Sequence, residues 1–395
     1  MIADIIRERS SEEREYVVEL RRYLHKHPEL SENEYNTSKK IQEELKKIGI
    51  EYVVYQGTNA IVGLIKGEKD GKTVALRADM DALPINEEND VPYKSENEGV
   101  MHACGHDGHT AILLGTARVL YSIRDKLHGN VKLLFQPAEE TIGGAEAMIA
   151  NGCMENPKVS YVFGLHMDPD IECGTIRSRV GALNANGDDI EITVKGKKSH
   201  GATPELGIDA IYVASNIVVS LQSIISRRIS PFDNAVMTIG KIQGGTANNV
   251  VADRVSMYMM LRTTDFTVRD NLKDWIEKNS RLTAEANGAE CDVKFTPSYI
   301  ASINDKECIE IVENVSNEFL GDNSYYNVEH PFLGLEDFSY FLTKAKGAFY
   351  QLGCGNKKKG ITSSTHTSTF DMDEDSLVNG MMMQAGIVYK LIGEK

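Results

Sequence analysis

The sequence has few of the features that mark secreted or membrane proteins. Its six cysteines are scattered without a CxxC pair, which at 395 residues argues against a disulfide framework. It has no uninterrupted run of about 18 apolar residues, and its N-terminus has no apolar core followed by a cleavage site. Acidic side chains outnumber basic ones by 58 to 43, which gives a formal charge of −15. We therefore expect a cytoplasmic protein that binds neither nucleic acid nor membranes.

The order of the sequence patterns predicts an α/β fold. Up to about residue 183, helical patterns alternate with buried strands such as "KTVALRAD", "VKLLFQ" and "YVFGLH", which indicates a largely parallel sheet. One helix is expected to begin near Ser31 or Glu32, and a long apolar helix near His109. The same alternation resumes after residue 297, where "LEDFSYFLTKA" is among the predicted helices.

Between residues 184 and 296 the pattern changes to strand, helix, strand, strand, helix and strand. This β-α-β-β-α-β order is that of a ferredoxin-like α+β domain. The simplest interpretation is one catalytic domain, formed by residues 1–183 and 297–395, that is interrupted by a smaller inserted domain.

Metal-capable side chains are concentrated in "MHACGHDGHT", although the whole chain has 10 histidines. This stretch contains His102, Cys104, His106, Asp107 and His109. Further groups follow predicted strands: Asp79, Asp81, Glu139, Glu140, His166 and His366. The carboxyl ends of strands in open α/β sheets form the edge where ligands bind, so we expect these groups to meet in one cleft.

Burying thiol, imidazole and carboxylate groups together without a cation would be costly, so we interpret Cys104 and His106 as metal ligands. Neighbouring side chains on an extended backbone point in opposite directions, which favours one of Glu139 and Glu140 as a ligand and the other as a general base. This mixed ligand set suits zinc best, with manganese, cobalt or nickel as alternatives. The ligands exceed what one catalytic cation needs, so we expect a two-metal centre.

Six motifs in order resemble those of the dimetal amidohydrolases: "LRADMDALPI", "MHACGHDGHT", "LLFQPAEE", "GLHMDP", "SHGATP" and "STHTSTFDMDEDSL". That family includes bacterial aminoacylases, hippurate hydrolases, N-acetyl-diaminopimelate deacetylases and plant indole-acetyl-amino-acid hydrolases. The resemblance covers nearly the whole chain. It implies a zinc-exopeptidase-like α/β/α catalytic domain, an inserted lid and dimerisation domain, and a homodimer or higher oligomer. The implied reaction hydrolyses an N-acyl-L-amino acid to a carboxylic acid and a free amino acid.

The resemblance also implies roles for individual residues. Two divalent metal ions per subunit would be held by Cys104, His106, Glu140, His166 and His366. Glu139 would be the general base, and His200 would stabilise the oxyanion, often from a partner subunit. Asn249 and Arg262 would hold the carboxylate of the substrate, which the guanidinium fork fits.

Other residues of the motifs have supporting roles in this comparison. Asp81, His102 and His109 would lie behind the ligands and orient them. His25 and His27 are interpreted as structural. In the wider clan of zinc exopeptidases, the position of Asp79 is a histidine ligand and the bridging group is an aspartate. Asp79 and Cys104 therefore place this chain in the cysteine-containing branch.

Three alternatives remain open from the sequence. A dipeptidase or carboxypeptidase of the same family would use the same centre on a peptide bond. A metal-independent cysteine amidase would use Cys104 as nucleophile with His106 or His109. A protein without enzymatic activity would hold a closed structural metal site.

Overall fold

The computed structural model describes residues 2–394, which form two compact units. The first contains the described chain up to Leu183, Ser302–His330 and the described chain from Asp337 onward, and the second contains Asn184–Ala301 and Pro331–Glu336. The boundary predicted at residue 296 is therefore too early. The backbone N–H of Gly187 donates to the carbonyl of Tyr299, which keeps the segment after residue 296 in the second unit.

The elements follow in chain order. Before the second unit the chain forms α1 (Ile2–Glu12), α2 (Arg14–Lys26), α3 (Tyr35–Ile48), β1 (Glu51–Val54), β2 (Ile61–Lys66), β3 (Lys69–Asp79), α4 (His106–Ser122), β4 (His128–Gln136), α5 (Gly144–Ala150), β5 (Val159–Glu172), β6 (Ile176–Ser178) and β7 (Gly181–Ala182). The second unit contains β8 (Asn186–Lys195), α6 (Ala210–Arg228), β9 (Ala235–Gly244), β10 (Arg254–Thr263), α7 (Phe266–Ala286) and β11 (Glu290–Pro297). The first unit then resumes with β12 (Ile303–Asn304), α8 (Lys306–Leu320), β13 (Tyr325–Asn327), α9 (Ser339–Leu342), β14 (Lys346–Gly355) and α10 (Asp375–Ile392).

The large sheet of the first unit has the strand order β1-β2-β4-β3-β5-β14-β6-β13 within the described residues. Its centre, β4-β3-β5-β14, is parallel, whereas β1, β2 and β4 pair antiparallel, as do β14 and β6. The prediction of a largely parallel sheet therefore holds for the central strands. The link from β2 to β3 is too short for the crossover that parallel strands need, so β2 runs antiparallel to the central strands.

Helices α4 and α10 pack against the central strands and against each other. Gly115 and Gly380 allow this close packing, since a Cβ on Gly115 would lie 2.3 Å from Met381 Sδ and one on Gly380 would lie 2.6 Å from Ile112 Cδ1. Most of α4 is buried, which explains why its sequence is apolar on nearly every face. The helix is thus a rigid support for the residues at its N-terminus.

Three predicted element boundaries are wrong. Helix α3 begins at Tyr35 rather than near Ser31 or Glu32, because Glu32 has a left-handed φ of 68° that a helix cannot contain. Helix α4 begins at His106 rather than near His109, because Gly105, with a φ of 85°, turns the chain directly into the helix. The helix predicted over "LEDFSYFLTKA" is shorter in the structure, where α9 spans only Ser339–Leu342.

The second unit consists of an antiparallel sheet in the order β11-β8-β10-β9, on which α6 and α7 pack. This is the ferredoxin-like arrangement that the sequence predicts. Its apolar core is separate from that of the first unit and includes Ile192, Val213, Met257 and Ile276.

Helix α6 is long and apolar enough to span a membrane by length and composition alone. A few polar residues interrupt its apolar sequence, but its mean hydropathy is still high enough for a membrane-spanning helix. In the structure its inner face is buried in the second core through residues such as Ala214, Ile217 and Leu221. The core helix of a domain packs in the same way.

Candidate metal centre

The segment between β3 and α4 makes its final turn at Gly105. A Cβ at this position would lie 3.0 Å from the Cβ of Met167, and the φ of 85° disfavours any other residue. The turn places Cys104 two residues before the first residue of the helix, which is His106. Both side chains are buried.

The five predicted ligands meet in the first unit. Cys104 Sγ lies 3.3 Å from His166 Nε2 and 3.2 Å from His366 Nε2. Glu140 Oε1 lies 3.3 Å from His366 Nε2 and 3.8 Å from His106 Nε2. The side chains form two groups of three that share the thiol, namely Cys104 with His106 and His166, and Cys104 with Glu140 and His366.

His166 reaches this position from within a strand, not from a strand end as the sequence suggested. β5 continues to Glu172 because it still pairs with β14 there, whereas its pairing with β3 stops at Gly164. His366 has a left-handed φ of 62°, and its backbone N–H donates to the carbonyl of Ala103. A strained conformation of this kind persists when the surrounding structure holds it, and such residues cluster at functional sites.

Two buried atoms in the group have charged neighbours but no well-aligned hydrogen bond. They are His106 Nε2 and Glu140 Oε1, which face each other across 3.8 Å. Buried polar atoms are nearly always satisfied, and cations bound within this group would satisfy both. Thiolate, imidazole and carboxylate are the donor types that zinc accepts. The residues present therefore fit one or more divalent cations.

Asp81 connects two of these side chains. His106 Nδ1 lies 2.9 Å from the Asp81 carbonyl oxygen and 3.3 Å from its Oδ1. The other carboxylate oxygen accepts from Ser31 Oγ at 2.7 Å and from the backbone N–H of Glu140 at 3.0 Å. Burial raises the pKa of Asp81, but hydrogen bonds from His106 and Ser31 bring it below its usual value. Asp81 thus orients one side chain of the centre and fixes the backbone of another.

His109 uses both of its ring nitrogens inside the protein. Nε2 accepts a hydrogen bond of 2.8 Å from the backbone N–H of Met167, so Nδ1 carries the proton and donates to Asp79 Oδ1 at 2.5 Å. Burial lowers the pKa of His109 to about 4, despite the negative charge of Asp79, which keeps the ring neutral. The ring therefore has no free nitrogen for a cation, although His109 lies close to His106 and Asp79.

Asp79 is a fully buried anion. Burial raises the pKa of its carboxyl group, but the adjacent Arg77 guanidinium and His106 hold the pKa well below the usual value. Arg77 donates to Asp79 Oδ2 at 2.6 Å, which leaves the charge compensated. His106 Nε2 is 3.6 Å from the same oxygen. The combined charge of Asp79 and Asp81 outweighs the effect of burial and raises the pKa of His106 to about 10.

Glu139 and Glu140 both lie beside His106. The three side chains each offer a ligand atom within 4.8 Å of the others, and Glu139 is buried. The prediction that the two glutamates point apart is therefore wrong in its geometry. β4 ends at Gln136 and Ala138 has a left-handed φ of 58°, so the backbone here turns and alternation does not apply.

A buried network next to the centre was not predicted from the sequence. Arg21 Nε donates to Asp107 Oδ2 at 2.8 Å, and His25 Nδ1 lies 2.7 Å from the same oxygen. Arg21 also donates to Asp371 at 3.0 Å. Its guanidinium thus links the residue after His106 to the segment that follows His366. The spacing of Arg21 and His25 on one face of α2 is the signal that sequence offered.

The remaining histidines of the motifs differ in environment. His25 is buried and its Nε2 lies 3.2 Å from Glu87 Oε1, whereas His27 is on the surface beside Tyr23. His102 is buried, and neither of its ring nitrogens has a hydrogen-bond partner. Burial lowers its pKa to about 4.

The other predicted site residues lie in the second unit. The carbonyl of Asn249 accepts from the N–H of Gly201, which brings "SHGATP" and "TANNVV" side by side. His200 is exposed and its Nδ1 accepts from the N–H of Ala202 at 3.1 Å. Arg262 donates to the carbonyl of its neighbour Leu261 at 3.0 Å.

Comparison with known proteins identifies the family. Residues 75–390 match peptidase family M20/M25/M40, so the chain belongs to this family and is a hydrolase. Thermostable carboxypeptidase 1 of Saccharolobus solfataricus is 41% identical over 382 residues, which are 95% of each chain. N-acetylcysteine deacetylase of Bacillus subtilis is 37% identical over 362 residues, which are 91% of this chain and 93% of the other. The crystal structure of a dinuclear metal-binding M20 peptidase from Bacillus subtilis is 34% identical, covers 96% of this chain and 98% of its own, and has a TM-score of 0.84.

Proposed function

We propose that this protein is a metal-dependent amidohydrolase that cleaves N-acyl-L-amino acids to a carboxylic acid and a free amino acid. The observation that carries the proposal is the convergence of Glu139 with two side-chain triads that share Cys104. The similarity to an N-acetylcysteine deacetylase supports an N-acyl amino acid as substrate. The similarity to a carboxypeptidase keeps peptide cleavage as the second candidate.

We propose two divalent cations per subunit, with zinc preferred and manganese, cobalt or nickel as alternatives. Cys104, His106 and His166 would hold one, and Cys104, Glu140 and His366 the other. The dinuclear relative and the His106 and Glu140 atoms without a well-aligned hydrogen bond support this assignment. When bound, the cations supply Lewis-acid polarisation of the amide carbonyl.

The side chains of the protein would carry the proton and the substrate. Glu139 accepts a proton from the attacking water and delivers it to the leaving amine, for which a buried carboxylate next to the centre is suited. His200 stabilises the oxyanion, and Asn249 and Arg262 hold the carboxylate of the amino acid. Asp81 keeps His106 and the backbone of Glu140 in position.

The surroundings of Cys104 argue against a cysteine amidase. Burial, Glu140 and Glu139 raise the pKa of the thiol well above its usual value. Nucleophilic cysteines instead lie in electropositive surroundings that lower the pKa. An acidic environment suits a thiol that binds a cation as the thiolate and releases its proton to solvent on binding.

We also propose that two copies pair through the second unit, as the sequence predicts. β9 is an edge strand of its sheet and is largely exposed. Ile211, Tyr212 and Val219 of α6 expose apolar side chains in the same unit. An exposed strand edge with apolar neighbours is a suitable pairing surface.

The test uses purified protein stripped with a chelator and then supplied separately with zinc, manganese, cobalt or nickel. We expect hydrolysis of acetyl-, benzoyl- and indole-acetyl-amino acids to stop on chelation and return with metal. Activity that survives complete metal removal would support the cysteine amidase. Hydrolysis of peptides alone would support the carboxypeptidase, and the absence of any hydrolysis would support a structural metal site.

A further inference from the structure

A cavity of about 590 Å³ lies in the first unit beside the loop that carries Glu139 and Glu140. Its apolar lining includes Tyr35, Ala60, Ala138, Ile142, Ala147 and Met148. Ile142 and Tyr35 are 68% and 64% exposed, so two large apolar side chains lie open to solvent at this cavity. Concave, largely apolar spaces of this size are typical of small-molecule sites.

One buried carboxylate connects the cavity wall to the catalytic loop. Glu34 Oε1 accepts from the backbone N–H of Glu32 at 3.0 Å and from that of Ala138 at 2.8 Å. Its Oε2 accepts from Asn59 Nδ2 at 2.9 Å. Glu32, Asn59 and Ala138 all line the cavity, so Glu34 holds three parts of its wall together.

The cavity wall and the proposed base are adjacent in the chain. Ala138 lines the cavity and Glu139 follows it, and neighbouring Cα atoms are about 3.8 Å apart. The N–H of Gly143 donates to the carbonyl of Ala138 at 3.0 Å, which closes the loop around Glu139 and Glu140. If Glu139 activates the attacking water, the acyl carbonyl that this water attacks lies near the Ala138 side of the cavity. An acetyl group ends near the carbonyl, whereas a longer or aromatic acyl group extends beyond it.

We propose that this cavity is the acyl-binding subsite, which accepts a neutral aromatic or medium-length aliphatic acyl group. The inference rests on the proposed amidohydrolase function and names the acyl group that the centre takes. Apolar burial in the cavity favours such groups over acetyl. Glu32 also lines the cavity, and its negative charge disfavours acyl groups that end in a carboxylate.

Ala147→Trp tests the subsite by narrowing it, and Ala150→Trp is the matched control. Both residues are exposed on α5, but Ala150 does not line the cavity. The measurement is kcat/KM for N-acetyl-, N-hexanoyl- and N-benzoyl-L-leucine with metal restored. We expect Ala147→Trp to lower the benzoyl-to-acetyl and hexanoyl-to-acetyl ratios by roughly 10-fold or more, and Ala150→Trp to leave both ratios unchanged.

A second variant, Ile142→Ala, removes an exposed apolar side chain at the cavity without filling it. We expect it to lower the hexanoyl-to-acetyl ratio several-fold, since one or more buried CH₂ contacts are lost. Unchanged ratios in both variants, while the wild-type protein hydrolyses all three substrates, would overturn the subsite. Failure of the wild-type protein to hydrolyse any of them would overturn the proposed function, and the subsite with it.

Discussion

In the first unit, Asp79, Asp81 and His106 are buried, and each is held by several hydrogen bonds or ion pairs. In the second unit, His200 and Asn249 are exposed and are held by bonds to the local backbone. Burial of charged groups requires compensating partners, so the first set is rigid by construction. His200 and Asn249 are solvated, so they need no compensating partners in the protein.

This contrast separates two kinds of function. Proton transfer and metal binding require side chains positioned within fractions of an ångström, which a buried network provides. Residues that meet a substrate from solvent must be accessible before it binds. We therefore expect changes to the ligands and the buried network of the first unit to affect metal binding or stability as well as turnover, and changes in the second unit to affect turnover without changing metal content or stability.

The largest effect is expected from Glu139→Gln. The carboxamide is nearly isosteric but cannot accept a proton from water, so kcat should fall by about 10²–10⁴-fold. Metal content, measured by elemental analysis, should stay at the wild-type value. Glu140→Ala is the control, because loss of a proposed ligand should lower metal content itself. A Glu139→Gln protein that keeps metal and most of its activity would show that Glu139 is not the base.

A large effect on stability is expected from Arg21→Met. It removes the guanidinium that pairs with the buried Asp107 carboxylate, and loss of one partner of a buried ion pair costs about 3–5 kcal/mol of unfolding free energy. Arg22→Met is the matched control one residue away. Arg22 is 44% exposed and pairs with Glu374, so its loss should cost less than about 1 kcal/mol. Urea denaturation of the metal-free proteins measures both, and equal losses would contradict a buried network.

Part of this arrangement could be predicted from sequence. Motif order and strand patterns identify the side chains that the structure brings together around Cys104, because strand ends converge on one sheet edge. The partners of Arg21 could not be predicted, since Asp107 and Asp371 lie 86 and 350 positions away. Such pairs leave no local periodicity.

Backbone conformation accounts for the other differences. The convergence of Glu139 and Glu140 depends on the left-handed Ala138, and the start of α4 depends on Gly105. A positive φ at alanine is rare, so an alanine in the sequence carries no signal of it. A glycine signals a permissive position without saying how it is used.

A smaller effect on metal affinity is expected from Asp81→Asn, which weakens the hydrogen bond to His106 without removing a proposed ligand. The amide cannot accept all the hydrogen bonds that the carboxylate accepts from Ser31, His106 and the N–H of Glu140. Zinc affinity, measured by competition with a chromophoric chelator, should fall roughly 10–100-fold. Ser31→Ala removes one donor alone and should change affinity less. An unchanged affinity in Asp81→Asn would mean that the ligands are positioned without it.

The smallest signal is a partial recovery, and it tests whether His200 acts between two copies of the chain. His200→Ala and Glu139→Gln proteins should each be nearly inactive. If His200 acts on the centre of a partner, a mixed dimer contains one intact composite site, so random exchange should restore about a quarter of wild-type sites. The measurement is activity after mixing, with subunit exchange followed by differently tagged chains and metal content checked in each protein. A mixture of His200→Ala with Glu140→Gln should recover in the same way, since the defects again lie in different chains. Proven exchange without recovery would mean that His200 acts within its own chain or has no part in the reaction.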